Sequence, residues 1–250
     1  QDITPPVANA GADEELTCVV TSLDLSGSNS SSGMDFTYNW TTSDGNITAN
    51  ANTIAPTINA NGTYQLLVTN TLNGCTATDE VVVVPNDDEP IIVAQNPDIL
   101  SCIQEEVIIN ASGSSAGSNF SYSWSTADGN IVVDGDTPTP TVDVIGTYTL
   151  ILTNTDNGCT STESVIVNEN FEVPDVDAGP DAQLTCAITD TTLDGSGSQG
   201  GSNLSFEWTT ADGNIVSGTN SLQPMVDAPG IYTLIVTNIT SGCTATESVE

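Results

Sequence analysis

The 250-residue chain contains no lysine, no arginine and no histidine. Its 33 Asp and Glu residues therefore stand uncompensated, at a formal net charge of −33. Without Lys or Arg nothing can neutralise a phosphate backbone, which excludes nucleic-acid binding. The same absence excludes a polybasic membrane patch, side-chain salt bridges, arginine clamps, Schiff-base lysines and histidine bases. Long apolar runs are missing too: no stretch approaches the roughly 18 residues of a membrane span, so no direct membrane insertion is expected. Gln1 opens no basic and apolar leader, so any signal peptide is expected to have been removed or to lie outside this window. Charged residues are only 13% of the chain, which excludes a highly charged disordered tail. The hydrophobic fraction of 37% suffices for small β domains.

What is present is a threefold repeat. Cys18, Cys102 and Cys186 are 84 residues apart, as are Cys75, Cys159 and Cys243. Trp40, Trp124 and Trp208 keep that step, as do Tyr64, Tyr148 and Tyr232. So do TTSDGNI, STADGNI and TTADGNI, beginning at Thr41, Ser125 and Thr209. The copies align without insertion or deletion, although surface loops usually drift in length because insertions cost little. Constant length points to recent duplication, or to a lattice in which every loop touches something. The expected domains are 1–85, 86–169 and 170–250. The third ends at Glu-Ser-Val-Glu with its last strand cut short, which is expected of a window on a longer array. A mature chain starting at Gln1 is the competing reading.

Within a repeat the apolar period is two. Phe120, Tyr122 and Trp124 alternate with Ser121 and Ser123, giving a strand with one aromatic face. Asp-Gly follows at Asp44-Gly45, Asp128-Gly129 and Asp212-Gly213, and is expected to close a hairpin through positive φ. Gly-Thr-Tyr-Gln-Leu-Leu-Val-Thr-Asn (62–70) and its copies have strand composition. No segment shows helical periodicity with caps. About seven short strands per copy predict three tandem β-sandwiches in an extended array. Trp40, Trp124, Trp208, Tyr64, Tyr148 and Tyr232 are expected in their cores. Such small domains need a staple, and the cysteines supply it. Their 57-residue spacing within each copy predicts Cys18–Cys75, Cys102–Cys159 and Cys186–Cys243, with pairing between repeats, such as Cys75 with Cys102, as the alternative. A structural zinc site lacks both CxxC and His. Disulfides imply an oxidising, extracellular setting.

The run Ala-Asn-Ala-Gly-Ala-Asp…Leu-Thr-Cys, with Leu-Asp-Gly-Ser-Gly-Ser (193–198), Tyr-Ser-Trp-Ser-Thr-Ala-Asp-Gly-Asn (122–130) and Gly-Cys-Thr-Ala-Thr-Glu-Ser-Val (242–249), resembles PKD-type Ig-like repeats. It is most similar to the repeats of large surface adhesins and extracellular filament proteins of Bacteroidota exported by type IX secretion. The resemblance covers the whole chain. It implies all-β Ig-like/PKD-like sandwiches in a secreted or cell-surface array, and it says little about a ligand. The PKD signature Trp-Asp-Phe-Gly-Asp-Gly is reduced here to its ends, Trp40 and Asp44-Gly45. Asp194 of the Asp-Gly-Ser-Gly-Ser run aligns with Ser26 and Asn110, so the first two copies lack any ion site built on that aspartate.

Candidate sites are few. Asp87, Asp88, Glu89, Glu172, Asp175 and Asp177 crowd the linkers, where hard oxygen ligands could hold calcium and stiffen a junction. The alternative is a solvated linker already stiffened by its prolines, with diffuse divalent association. No cofactor is required. Asp44, Asp128 and Asp212 read as turn chemistry rather than an ion or sugar contact. Catalysis would have to rest on carboxylates alone, and no acidic pair stands out, so no enzyme is expected. Several Asn-x-Ser/Thr triplets and Asp190-Thr191-Thr192 leave glycosylation open. The expected function is a structural segment of a cell-surface filament, hook or adhesin stalk. Its expected partners are identical chains, joined laterally and end to end. The alternative is a module array binding carbohydrate or another surface.

Overall fold

The computed structural model describes residues 2–250, and all the regular structure among them is β, in 21 strands with no helix. The first repeat shows how the alternating sequence builds a sandwich. Strand Gly62–Asn70 buries Tyr64, Leu66 and Val68, every second residue, and turns Gln65 and Leu67 away. It pairs antiparallel with Phe36–Thr42, setting Trp40 opposite Leu66, and with Thr76–Asn86, setting Tyr64 opposite Val81. Glu14–Thr17 adds a parallel edge, with Thr17 opposite Asn86. The facing sheet is Leu23–Asp24, Thr57–Ile58 and Ile47–Ala49. Leu25, Trp40, Ile58, Tyr64, Leu66, Val68, Val81 and Val83 meet between the two sheets. Burying each such side chain contributes about 1.5–3 kcal/mol, which is how a domain this polar stays folded.

The third repeat restates the plan. Leu204–Thr210, Tyr232–Asn238 and Thr244–Val249 form one sheet, and Thr191–Thr192, Met225–Ala228 and Asn214–Ser217 the other. Leu193, Trp208, Val226, Tyr232, Leu234, Val236 and Val249 fill the core. In the second repeat Phe120–Thr126, Gly146–Asn154 and Thr160–Val167 form one sheet and Ile131–Val133, Thr141–Val142 and Val107–Ile108 the other, while Glu169–Asn170 pairs in parallel with Leu100–Ser101. The compact units do not follow the repeat boundaries. One comprises residues 1–93, 113–123 and 150–163; the other comprises 94–112, 124–149 and 164–250.

Polar groups inside the sandwiches are matched. Trp40, Trp124 and Trp208 are buried, and each indole donates to the carbonyl thirteen residues on, of Thr53, Thr137 and Ser221, at 3.0–3.1 Å. Buried Ser30 and Ser198 accept from the backbone N–H of Asn9 and Asp177 at 2.9 Å and donate back to the same residues' carbonyls. Ser198 is the last residue of Leu-Asp-Gly-Ser-Gly-Ser, so that motif latches the entering strand onto the core.

The Asp-Gly turns require a correction. Gly45, Gly129 and Gly213 are not among the residues with positive φ. They are glycines because the hydroxyls of Tyr64, Tyr148 and Tyr232 occupy the space a side chain would need. Each of those hydroxyls accepts from the next backbone N–H, of Asn46, Asn130 or Asn214, at 2.9 Å. The aspartates tie the turn shut: Asp44, Asp128 and Asp212 accept from the N–H of Thr63, Thr147 and Ile231 at 2.9–3.0 Å.

Candidate functional site

The features that recur with the most constant geometry are two cysteine turns in every repeat. One is a hairpin tip. Thr17 N–H donates to Val20 C=O at 3.0 Å, leaving Cys18 and Val19 exposed at the apex. Ser101 and Gln104 close the equivalent tip around Cys102, and Thr185 and Ile188 the one around Cys186. The other is a tight turn ending in Gly-Cys. Gly74 N–H donates to Asn70 C=O at 2.8 Å, and Asn73 Oδ1 accepts from Cys75 N–H at 2.9 Å. Gly74, Gly158 and Gly242 hold φ of +73°, +72° and +70°, the left-handed region that glycine enters without penalty.

The disulfides join these turns between repeats. Cys18 pairs with Cys159 and Cys102 with Cys243, each across 141 residues, with Cα–Cα of 5.1 and 5.0 Å. Cys75 and Cys186 are in no disulfide among the described residues; Cys75 is half-buried and Cys186 exposed. The expected pairs Cys18–Cys75, Cys102–Cys159 and Cys186–Cys243 are therefore wrong, and strand register supplies the reason. Thr17, beside Cys18, pairs with Asn86 at one end of a strand whose other end, Thr76, adjoins Cys75. Those ends lie about 33 Å apart by strand rise, far beyond the roughly 7 Å a disulfide tolerates. The bonds run between repeats, as in the alternative, but between other partners than Cys75 and Cys102. The Cys18 and Cys102 tips each bond the Gly-Cys turn of the following repeat.

Around each bond the packing is the same. Within the first unit Val19 lies on Gly158, where an added Cβ would fall 2.6 Å from Val19 Cγ1; within the second, Ile103 lies on Gly242 in the same way. Cys159 and Cys243 are buried in consequence, together with Asn157 and Ser241. Those two polar side chains hold the linker: Asn157 Nδ2 donates to Asp88 C=O at 3.0 Å, and Ser241 Oγ to Glu172 C=O at 3.0 Å. Sequence reasoning missed them, although Asn73, Asn157 and Ser241 keep the 84-residue step two positions before each cysteine.

Asp88 and Glu172 of the acidic linkers are held through their main-chain carbonyls. Asp87, Asp88, Glu89, Glu172, Asp175 and Asp177 are all exposed. Asp175 N–H donates to Gln199, and the Asp177 carboxylate accepts from Gly179 N–H at 2.9 Å. Among the described residues no three acidic or sulfur side chains converge as a cation site. Asp194 is held below the usual carboxylate range by hydrogen bonds from Ser196 and Gln223, which is again turn chemistry. Of the aromatic side chains only Phe171 is exposed, so no aromatic platform recurs from repeat to repeat.

A groove of about 860 Å³ in the second unit is lined by Leu184, Ile188, Leu193, Val226, Tyr232 and Glu250 among others. It belongs to the edge of the third sandwich. No helix among the described residues is long and apolar enough to cross a membrane.

The PKD domain family model matches residues 3–84, the first repeat. The human dyslexia-associated protein KIAA0319 is 27% identical over 260 residues, covering 92% of this chain and 24% of its own length. The chain thus spans about a quarter of that relative. Among solved structures, the three N-terminal domains of the bacteriophage RB49 outer capsid protein Hoc match at 15% identity and TM-score 0.37, over 98% of this chain and 96% of that one. The eight N-terminal Ig domains of Down syndrome cell adhesion molecule match at 17% and 0.36, over 98% and 42%.

Proposed function

We propose that these three PKD/Ig-like sandwiches are a load-bearing segment of an extracellular structural protein, a cell-surface filament, hook or adhesin stalk, without catalysis. The observation that carries this reading is the covalent link from the Cys18 and Cys102 tips to the Gly-Cys turn of the following repeat. Ordinary tandem domains are joined by one strand of linker; here every described junction has a second, covalent strand. Disulfides persist in oxidising surroundings, which supports secretion. The motif resemblance supports an origin among the type IX secreted proteins of Bacteroidota. Identical chains are the expected partners. With no cation anywhere in the sequence, lateral contacts must use hydroxyl and amide hydrogen bonds, apolar contact and screening ions. Calcium and magnesium enter as diffuse counter-ions of the acidic surface.

Force spectroscopy tests the mechanical role. Fully extended, the reduced chain reaches about 850 Å. In the oxidised chain the shortest covalent path runs from the N-terminus to Cys18, across to Cys159, back to Cys102 and across to Cys243. That path is about 280 Å long. Equal extension in both states would overturn the reading. Electron microscopy of native material tests the filament itself, and single flexible strands alone would remove it. The alternative, a carbohydrate-binding array, lacks repeated exposed aromatics and predicts glycan-array binding where this reading predicts none.

A further inference from the structure

Both disulfides are asymmetric in the same sense. The tip cysteines Cys18 and Cys102 are exposed, whereas the turn cysteines Cys159 and Cys243 are 1% exposed. Cys102 lies in the interior of the sequence, between the first and third repeats, so its exposure belongs to the hairpin tip itself. Each half of the clasp is also held by hydrogen bonds that do not involve sulfur. At one tip Thr17 Oγ1 accepts from Val20 N–H at 2.9 Å, and at the other Ser101 and Gln104 exchange backbone bonds of 2.9 and 3.1 Å around Cys102. At the turns, the carbonyls of Cys159 and Cys243 accept from the N–H of Asn154 and Asn238 at 2.9 Å. Asn157 and Ser241 anchor the linkers beside them. Opening the sulfur bond therefore leaves both cysteines where they stand.

We propose that small thiols open these two junctions through Cys18 and Cys102 alone, and that buried Cys159 and Cys243 then reseal them. Exchange requires a thiolate to reach one sulfur of the bond, and exposure decides which sulfur it can reach. A small thiolate attacks the sulfur of Cys18 and the Cys18–Cys159 bond breaks. A mixed disulfide forms on Cys18, the electron pair leaves on the sulfur of Cys159, and that sulfur takes a proton from water. Resealing is the reverse displacement. Deprotonated Cys159 attacks the Cys18 sulfur, the protein disulfide re-forms and the small thiolate departs. The external thiol is returned, so the cycle consumes no oxidant. The folded clasp gives the turn thiol a high effective concentration at the tip, which favours resealing over a second external attack. Cys102 and Cys243 follow the same course. The 33 carboxylates repel anionic thiols, so an uncharged or cationic thiol is the favoured reagent.

The test uses the oxidised 250-residue chain, with any free thiol first blocked by N-ethylmaleimide. β-Mercaptoethanol is added at mildly alkaline pH, early samples are quenched in acid, and the adducts are located by peptic peptide mapping. Cys18 should carry more adduct than Cys159, and Cys102 more than Cys243, by about tenfold or more. In guanidinium, which exposes every sulfur, the two members of each pair should be marked alike. Desalting the native sample at the same pH without oxidant should restore both bonds and release the mercaptoethanol. Equal marking in the native chain, a preference for Cys159 or Cys243, or a tip preference that persists in guanidinium would each overturn the proposal. So would an absence of adduct on all four cysteines, or adducts that survive desalting of the native sample. Lack of the two bonds in the starting chain, read from its intact mass, would overturn it together with the covalent link behind the proposed function.

Discussion

Val19 sits on Gly158 so closely that the turn has no room for a side chain there. The same αL turn at Gly74 is open. Gly158→Ala and Gly74→Ala both incur the cost of a non-glycine residue at positive φ, about 1 kcal/mol. Only Gly158→Ala also displaces Val19. Peptide mapping after oxidative refolding should therefore show less Cys18–Cys159 in that variant, with Gly74→Ala unchanged in bridging. Equal bridging in both would show that the contact does not guide the bond.

Tyr64 should be a stability determinant through its hydroxyl. It links Asn46 N–H to Ala60 C=O in the interior, and Tyr64→Phe leaves both without this partner. The expected cost is about 2 kcal/mol, a fall of roughly 10 °C in the melting of the first repeat. Gly45→Ala should cost at least as much, because the methyl group collides with that hydroxyl. A melting temperature unchanged in both variants would refute the assignment.

Alkaline pH should weaken the second repeat. Burial pushes the phenols of Tyr148 and Tyr122 up from their ordinary value near 10. The folded state then keeps these protons to higher pH than the unfolded chain does. Their contribution is fully present below pH 10 and is lost as pH rises above it. Phenolate absorbance should show late-titrating tyrosines, and stability measured by denaturant should begin to fall near pH 10. A fall beginning at neutral pH would need another cause.

Salt should stabilise this protein. Thirty-three carboxylates repel one another with no ion pair to oppose them. Raising NaCl from about 10 to 150 mM shortens the Debye length from about 30 to 8 Å and should raise the melting temperature. At fixed ionic strength a chelator should leave it unchanged. A drop of several degrees with chelator would restore a calcium site at the acidic linkers.

The sandwich was legible because its signals are local. Alternation at Phe36, Tyr38 and Trp40 shows which strand face is buried, and an 84-residue step shared by Cys, Trp and Tyr marks the repeat. The Asp-Gly turns were legible in place but not in cause. Sequence showed a tight turn at Gly45, but only the fold put the Tyr64 hydroxyl against it. The Gly-Cys turns carry no local sign of the cysteine tips that bond two of them. Those tips lie 141 residues away along the chain.

The amino-acid sequence by itself determined the all-β class, the three copies, the buried Trp and Tyr set and the absence of any Lys, Arg or His side chain to do chemistry in these residues. Each of these follows from periodicity or composition, which any stretch of chain carries on its own. The tertiary structure decided which cysteine meets which. Spacing along the chain favoured partners within a repeat, but strand register carries Cys18 and Cys75 to opposite ends of one sandwich. Register is set by hydrogen bonding across the sheet, and it is expressed only once the sheet has formed.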